Sequence, residues 1–244
     1  MKLAQWRGWA PRLAVSRLTG RPAPPNQNGV DAIVGTQGGG AETRSRLIEV
    51  AVRHFADHGF AAASQRAIQR EAGVNPAATH YHFGSKGAMF RAVIDTFVHD
   101  VQRERARRLE TVPDDLRGPA LLRRLLVDYY APGFAAATTA SGFHYTRILA
   151  RTQGERDSDT RRIFNEIVGP MRERYVDSIS AAAPQLTRAE AYDLLTTGVT
   201  LMAVFAIGPR YENLLETGGP EREAERVATI VAAGYEALLG IDGH

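Results

Sequence analysis

The sequence predicts an all-α protein, and three observations support this prediction. Apolar residues recur at helical spacing along most of the 244-residue chain. We find no useful length of the apolar–polar alternation that marks a half-buried strand. Ser, Asn, Pro and Gly stand where helices are expected to begin and end. We therefore expect a basic extension over residues 1–40, a three-helix unit over 41–86 and a larger helical domain over 87–244.

The N-terminal extension, residues 1–40, is predicted to be disordered. It is rich in Pro and basic residues and ends in the glycine run GTQGGG at 35–40, which is typical of a flexible linker. That run lacks the Gly-Lys-Ser/Thr of a phosphate-binding loop. Trp and Leu interleaved with Arg leave open a membrane-surface helix, a transit-like segment or an arm for the minor groove. A disordered tail or a wrongly assigned start codon is the simpler alternative.

The first predicted helix runs from Glu42 to His58 and is amphipathic. Leu47, Ala51 and Phe55 form one apolar line along it, with a second line beside the first. Gly59 is expected to end this helix, so that its apolar face is available to cover two further helices.

The second predicted helix has signals at both ends. Ser64 is a suitable N-cap, and Ile68 and Ala72 lie on one apolar face. Gly73 is expected to close the helix in the left-handed conformation. Val74 would then pack in the corner before the next helix.

The third predicted helix is short and polar. Asn75 is a suitable cap, and Pro76 follows at the first helical position, where its missing N–H costs nothing. Gly84 is expected to close this helix, and Ser85 to cap the next. Hydroxyl and imidazole donors on a short helix suit the major groove of DNA, where base edges are read at close range. The alternative is a polar surface helix without a partner.

The segments RLIEVAVRHFADHGF and YHFGSKGAMFRAVI, on either side of this turn, resemble the DNA-binding domain of the TetR family of bacterial regulators. The resemblance covers about residues 43–95. It implies a dimer that binds a palindromic operator in double-stranded DNA. It also implies that Arg66 reads a guanine, that residues 76–78 meet a thymine methyl, and that Tyr81, His82 and Lys86 hold phosphates. The full predicted DNA-binding set is Ser64, Gln65, Arg66, Asn75, Pro76, Ala77, Ala78, Thr79, His80, Tyr81, His82 and Lys86.

Helical patterns continue to the end of the chain. A long apolar stripe begins at Met89 and is predicted to end near Pro113. The chain also contains a capping box, formed by Thr187 and Glu190. Five further helices are predicted at Pro119–Tyr130, Ser141–Thr152, Thr160–Ala183, Thr187–Leu215 and Pro220–Leu239.

The last two helices are predicted to form the homodimer interface, because each carries an apolar stripe with small residues beside it. The same stripes could instead face the core of the monomer, since burial alone does not identify a partner. The predicted interface consists of Leu195, Val199, Met202, Phe205, Val227, Ile230, Gly234 and Leu238.

The middle helices are predicted to hold a pocket for a hydrophobic small molecule. An apolar lining with a buried cation suits a hydrophobic acid. The segment FHYTRILARTQGE and the helix after it resemble, more weakly, the TetR branch that senses fatty acids or acyl-CoA. The alternative is a structural core in which the arginines pair with Glu155 or Glu173. The predicted pocket consists of Phe134, Phe143, His144, Tyr145, Arg147, Ile148, Arg151, Phe164, Met171 and Tyr175.

Charge and composition limit the other classes of function. The net charge is +3, with +4 in residues 1–40, +2 in 41–86 and −3 in 87–244, so the basic character lies at the predicted DNA-binding end. The absence of cysteine excludes disulfides and thiolate metal sites and suits the cytoplasm. There is no apolar run of membrane-spanning length.

Enzymatic and metal-dependent functions are not indicated by the sequence. There is neither a G-x-S-x-G elbow nor an H-E-x-x-H motif, and we expect no cofactor. His54 and His58 have metal-ligand spacing but no third ligand nearby. The sequence therefore favours a homodimeric, ligand-released repressor. The alternative is a protein-interaction module of the same fold that no longer binds operator DNA.

Overall fold

The computed structural model describes residues 36–154, 158–207 and 218–238, which form helices joined by short turns and contain no strand. The all-α prediction is confirmed. Among the described residues, no helix has the length and apolar character needed to cross a membrane. The helices are α1 Thr36–Ala62, α2 Gln65–Ala72, α3 Pro76–Phe83, α4 Lys86–Glu110, α5 Gly118–Ala137, α6 Ala140–Gly154, α7 Ser158–Ala182, α8 Arg188–Ile207 and α9 Gly219–Leu238.

Helix α1 is longer than the sequence predicts. It begins at Thr36 rather than Glu42, so residues 36–40 of the glycine run are helical and not part of a linker. A formed helix gains one hydrogen bond for each residue added, which allows even glycines to extend it. The predicted break at Gly59 is confirmed, since this residue has φ 74° and ψ 171°. Residues 1–35, the rest of the predicted extension, lie outside the described residues.

The caps of α2 and α3, the two helices joined by the turn at Gly73, are those that the sequence predicts. The Ser64 side chain accepts a hydrogen bond from the Ala67 amide at 3.3 Å, and Asn75 accepts one from the Ala78 amide at 2.7 Å. Gly73 closes α2 in the left-handed conformation, with φ 63°. These local contacts set the angle between α2 and α3, while Ile68 is fully buried beneath them.

The larger domain packs α4 to α9 around a common core. Helix α5 continues through Pro132 to Ala137, seven residues beyond the predicted end at Tyr130. The capping box at the start of α8 is confirmed, since the Thr187 amide donates to Glu190 Oε2 at 2.7 Å and the Glu190 amide donates back to Thr187 Oγ1 at 3.2 Å. The predicted helix Thr187–Leu215 is described only as far as Ile207.

A buried ionic cluster centred on Arg108 joins α4, α5 and α9. Arg108 pairs with Glu104 at 3.0 Å on its own helix, with Asp128 of α5 at 3.4 Å, and with Glu221 of α9. Asp128 also accepts from Arg124 at 2.6 Å. This cluster fixes the start of α9 against α4 and α5, and the inner face of α9 then packs along α5.

Candidate nucleic-acid interface and effector pocket

Helices α2 and α3 present a polar, exposed surface. Arg66 projects from the first turn of α2, and the Tyr81 side chain on α3 is 86% exposed. An exposed tyrosine of this kind has an apolar ring and a hydroxyl, both available to a partner. The other exposed members of the predicted DNA-binding set are Ser64, Asn75, Pro76, Ala77 and His80, with Gln65, Ala78, His82 and Lys86 half-buried.

Thr79 is wrongly placed in the predicted DNA-binding set. It is fully buried, and its hydroxyl donates to the carbonyl oxygen of Asn75 at 3.3 Å. A threonine hydroxyl bonded back to the preceding turn of its own helix faces the protein and not a groove. Thr79 therefore holds α3 on the core.

Lys86 lies at the junction of α1 and α4. Its ammonium donates to the carbonyl oxygen of Ala61 at 3.0 Å and lies 4.9 Å from the centroid of the Phe60 ring. These contacts connect the start of α4 to the segment that follows the Gly59 break. These two contacts orient the Lys86 side chain.

The start of α1 adds basic groups that the sequence reasoning missed. Arg44 lies over the Phe83 ring, with 5.3 Å between the guanidinium carbon and the ring centroid. A methyl group at Gly40 would lie 3.8 Å from Cε1 of His82, so this part of α1 runs beside the end of α3. The sequence contained a signal for these groups, because Arg44 and Arg46 directly precede the apolar line of α1. Both side chains are exposed in the structure.

A cavity of about 380 Å³ lies among α4, α5, α6, α7 and α8. This volume is at the lower end of those that bind drug-sized molecules. Its lining combines aromatic rings, aliphatic side chains and arginines: Val101, Arg105, Tyr129, Gly133, Tyr145, Leu149, Thr152, Arg161, Phe164, Asn165, Val168, Arg172, Tyr192, Leu195, Thr196, Val199 and Met202.

Only part of the predicted pocket belongs to this cavity. Tyr145 and Phe164 line it. Tyr175 instead lies behind the cavity wall, where its hydroxyl donates to the carbonyl oxygen of Arg105 at 2.9 Å. The other predicted residues also lie outside the lining. They are Phe134, Phe143, His144, Arg147, Ile148, Arg151 and Met171.

Arg147 and Arg151 contact the last turn of α1 before Gly59 and lie outside the cavity lining. Arg147 Nη1 lies 2.7 Å from Asp57 Oδ1, whereas Arg151 donates to two carbonyl oxygens, of Ala56 at 2.8 Å and of Asp57 at 2.9 Å. Because α6 turns once every 3.6 residues, positions 147 and 151 face away from Tyr145, Leu149 and Thr152, which line the cavity.

His144 belongs to the same contact between α1 and α6. Its Nδ1 is buried without a hydrogen-bond partner. The pKa of His144 lies below its ordinary value, mainly because burial disfavours the imidazolium. The positive charges of Arg147 and Arg53 lower it further, and the negative charge of Asp57 opposes them.

The predicted dimer stripe on α8 is also reassigned. Leu195, Val199 and Met202 line the cavity, so they face the interior of the monomer. Val227 of α9 is fully buried in the core. The side chains of Phe205 and Leu238 lie outside the described part of the structure. Of the predicted interface, Ile230 and Gly234 remain exposed.

Helices α8 and α9 each expose one large hydrophobic side chain. Within the described ranges, the exposed large hydrophobic residues are Tyr81, Val204 and Ile230. Val204 is 55% exposed on α8, and Ile230 is 49% exposed on α9. Ala233, Gly234 and Ala237 extend the exposed face of α9 with small residues that allow close approach.

His54, the first of the two histidines with metal-ligand spacing, contacts α2 instead. His54 Nε2 lies 2.8 Å from Glu71 Oε2, and Arg53 pairs with the same carboxylate at 2.7 Å. Both contacts join α1 to α2. Across the part of the chain that the structure describes, no cluster of three potential metal ligands occurs.

Comparison with protein families and curated proteins identifies relatives of both halves. Residues 47–93 match the family described as bacterial regulatory proteins, tetR family, and residues 128–234 match the tetracyclin repressor-like C-terminal domain. An HTH-type transcriptional repressor of Streptomyces coelicolor is 29% identical over 179 residues, which cover 72% of this chain and 85% of the relative. The HTH-type transcriptional regulator BetI of Rhizobium meliloti is 27% identical over 58% of this chain and 66% of its own length.

Solved structures share the fold. The fatty acid degradation regulator FadR from Bacillus halodurans superposes with a TM-score of 0.59 at 12% identity, over 78% of this chain and 94% of its own. FadR from Bacillus subtilis, in complex with stearoyl-CoA, gives 0.54 at 14% identity, over 78% of this chain and 98% of its own. At these identities the likeness concerns the fold alone.

Proposed function

The chain belongs to the TetR family of transcriptional regulators and carries its DNA-binding helix-turn-helix, and from this premise we propose that it is a homodimeric repressor released from its operator by a hydrophobic small molecule. The observation that carries the proposal is the double role of α6. One face of α6 lines the cavity, and another holds the end of α1. A ligand in the cavity therefore acts on the helix that supports the DNA-reading unit.

The DNA-reading surface is proposed to be the exposed side of α2 and α3. Arg66 suits the O6 and N7 acceptors of guanine, and the small residues at 76–78 suit a thymine methyl. Tyr81 and His82 would contact phosphates from α3, with Arg44 approaching from α1. Lys86 would add charge at the start of α4. This arrangement is supported by the exposure of Tyr81 and by the position of Arg44 beside Phe83.

Dimerisation is proposed to use the outer face of α8 and α9. Val204 and Ile230 would be covered by a second copy, and the small residues of α9 would let the helices approach. A symmetric dimer places two short reading helices on one duplex, which increases the number of specific contacts and requires an inverted-repeat operator.

The effector is proposed to be a hydrophobic acid, with fatty acids and acyl-CoA thioesters as the first classes to test. Aromatic and aliphatic side chains dominate the lining, and arginines supply its charge. Binding would favour one arrangement of α6 and α1 over another, and the difference in affinity between the two arrangements sets the release from DNA. We place this regulation in the cytoplasm, where a bacterial operator is accessible.

Recovery of genomic DNA by the purified protein tests the proposed function. Fragments bound by the full chain should share an inverted repeat. Arg66→Ala should lose enrichment of that repeat, whereas Arg103→Ala, a change on the exposed side of α4 far from the reading surface, should retain it. Recovery of unrelated fragments, with equal affinity for any duplex, would favour an interaction module that has lost operator binding.

A further inference from the structure

The cavity has a positive lining. Three arginines contribute to it, at positions 105, 161 and 172, and none of its lining residues within the described ranges is an Asp or Glu. Asn165, Thr152 and Thr196 add neutral polar groups. Cations that line a partly buried site repel a cationic ligand and attract an anionic one, because both effects are stronger beside the protein interior than in bulk water.

Arg105 is the deepest of the three arginines and has only neutral partners. The residue is 4% exposed. Its Nε donates to the carbonyl oxygen of Tyr129 at 2.8 Å, and its Nη1 donates to Gln102 Oε1 at 3.2 Å. Among the described residues, the structure shows no hydrogen bond from Nη2 and no ion pair of Arg105 beyond these two neutral contacts. A buried guanidinium is costly unless an opposite charge compensates it.

The neighbours of Arg105 hold it in one orientation. Its guanidinium carbon lies 3.9 Å from the centroid of the Tyr129 ring, a cation–π contact that fixes the plane of the group. A methyl group placed on Gly133 would lie 3.8 Å from Nη2 of Arg105, so the backbone of α5 passes beside the unbonded edge. The guanidinium is thus oriented before any ligand arrives, which lowers the entropic cost of binding.

Arg172 provides a second cation on the wall of the cavity. Its Nη2 donates to Asn165 Oδ1 at 3.1 Å, and its guanidinium lies 4.4 Å from the Tyr192 ring centroid. Its Nε is buried and has no hydrogen-bond partner. Two oriented guanidinium groups with neutral partners therefore line one cavity whose remaining wall is mostly aromatic and aliphatic.

We propose that this cavity selects an organic anion and that Arg105 binds the acid group, with Arg172 as a second contact. This inference rests on the hydrophobic-acid effector proposed above and names the residues that recognise its acid group. The carboxylate would accept hydrogen bonds from Nη2 of Arg105, and the apolar body would lie among Tyr129, Tyr145 and Phe164. A volume of about 380 Å³ suits a compact arylalkyl or medium-chain acid.

Matched ligands that differ only in head group test the proposal on the full-length protein. We would titrate 4-phenylbutyrate, 4-phenylbutanol and 4-phenylbutylamine, followed by octanoate, octanol and octylamine, by calorimetry and by thermal melting. The acids should bind and raise the melting temperature. The alcohols should bind at least tenfold more weakly, and the amines should give no shift.

Two substitutions identify the residues responsible. Arg105→Met should weaken 4-phenylbutyrate by about 10- to 100-fold while leaving 4-phenylbutanol as tight as in the wild type, because only the charged hydrogen bonds are lost. Arg172→Met should weaken the acid by a smaller factor. Arg103→Met is the matched control on the same helix, since that side chain is 69% exposed and pairs with Asp100.

Three results would contradict the role of the arginines in this cavity. Equal binding of acid, alcohol and amine would overturn it, and so would the failure of all acids to bind at millimolar concentration. Unchanged acid affinity in both variants would also overturn it. If Arg105→Met does not fold, the proposal is tested by the acid affinity of Arg172→Met and by the comparison of head groups on the wild-type protein. None of these measurements involves DNA, so operator binding can succeed or fail independently.

Discussion

Arg151 of α6 donates hydrogen bonds to the carbonyl oxygens of Ala56 and Asp57, at the last turn of α1 before the break at Gly59. The final carbonyls of a helix have no partner within the helix, so a guanidinium from another helix satisfies them well. Arg147 adds an ion pair to the Asp57 side chain at 2.7 Å. These contacts connect α6, which lines the cavity, to α1, the first helix of the DNA-binding domain.

Removing this junction should uncouple the ligand from DNA binding. We expect Arg151→Met to bind the effector as the wild type does, because the side chain lies outside the cavity lining. The effector should then change operator affinity by a smaller factor than in the wild type. Fluorescence anisotropy with and without a saturating acid measures that factor. A variant that keeps the full response would show that coupling passes through other contacts.

Base reading and phosphate contact should separate on substitution. Arg66→Ala should cost about 1 to 3 kcal/mol and relax preference at one operator position, because a bidentate contact to one base is lost. Lys86→Ala should weaken all sequences alike. Titrations against single-base operator variants distinguish the two patterns. Equal losses at every position for Arg66→Ala would remove that residue from the reading surface.

The proposed dimer face makes a prediction about oligomeric state. Ile230→Glu and Val204→Glu should each produce monomers, since a charge without a partner in an apolar interface is costly to desolvate. Ala181→Glu, on the exposed side of α7, is the matched control and should remain dimeric. Sedimentation velocity at micromolar concentration gives the masses. Dimers of unchanged affinity in both α8 and α9 variants would place the interface elsewhere.

The break in α1 should depend on glycine. Gly59 has φ 74° and ψ 171°, a conformation that is essentially restricted to glycine. Gly59→Ala should lower the free energy of unfolding by about 1 to 3 kcal/mol. Gly87→Ala, in the first turn of α4, meets only the Ser85 hydroxyl at 3.9 Å and should be neutral or stabilising. Urea denaturation compares the two, and equal stabilities would contradict the assigned strain.

Local signals account for the parts of the fold that the sequence predicts. The caps at Ser64, Asn75 and Ser85 each bond an amide three residues away, so the chain contains the whole interaction within one turn. The left-handed Gly73 is similarly local. Such contacts can be inferred without knowledge of the tertiary structure. The sequence therefore predicts the ends of α2 and α3 accurately.

The assignment of faces to partners depends on tertiary packing. The stripe Leu195, Val199 and Met202 is apolar whether it faces a cavity or a second copy, and the structure places it at the cavity. Arg147 and Arg151 were predicted as pocket cations, yet they point to α1 because the apolar positions of α6 take the inner face.

Arg105 shows a signal that sequence reasoning could have used. It follows Val98 and Val101 at helical spacing, so it continues the buried stripe of α4 rather than the exposed side. It lies in the segment RERARRLE, where most of its neighbours are also charged. Its position in the stripe, and not its residue type, distinguishes it.

The most direct test of the proposed function is a titration of the full chain on a recovered inverted-repeat fragment, with and without a hydrophobic acid that binds the cavity. A coupling energy of about 1 to 3 kcal/mol corresponds to operator binding weakened by about 5- to 150-fold. We predict that the acid weakens operator binding of the wild type by a factor in this range. The operator should weaken binding of the acid by the same factor. An acid that occupies the cavity and leaves operator affinity unchanged would contradict the account.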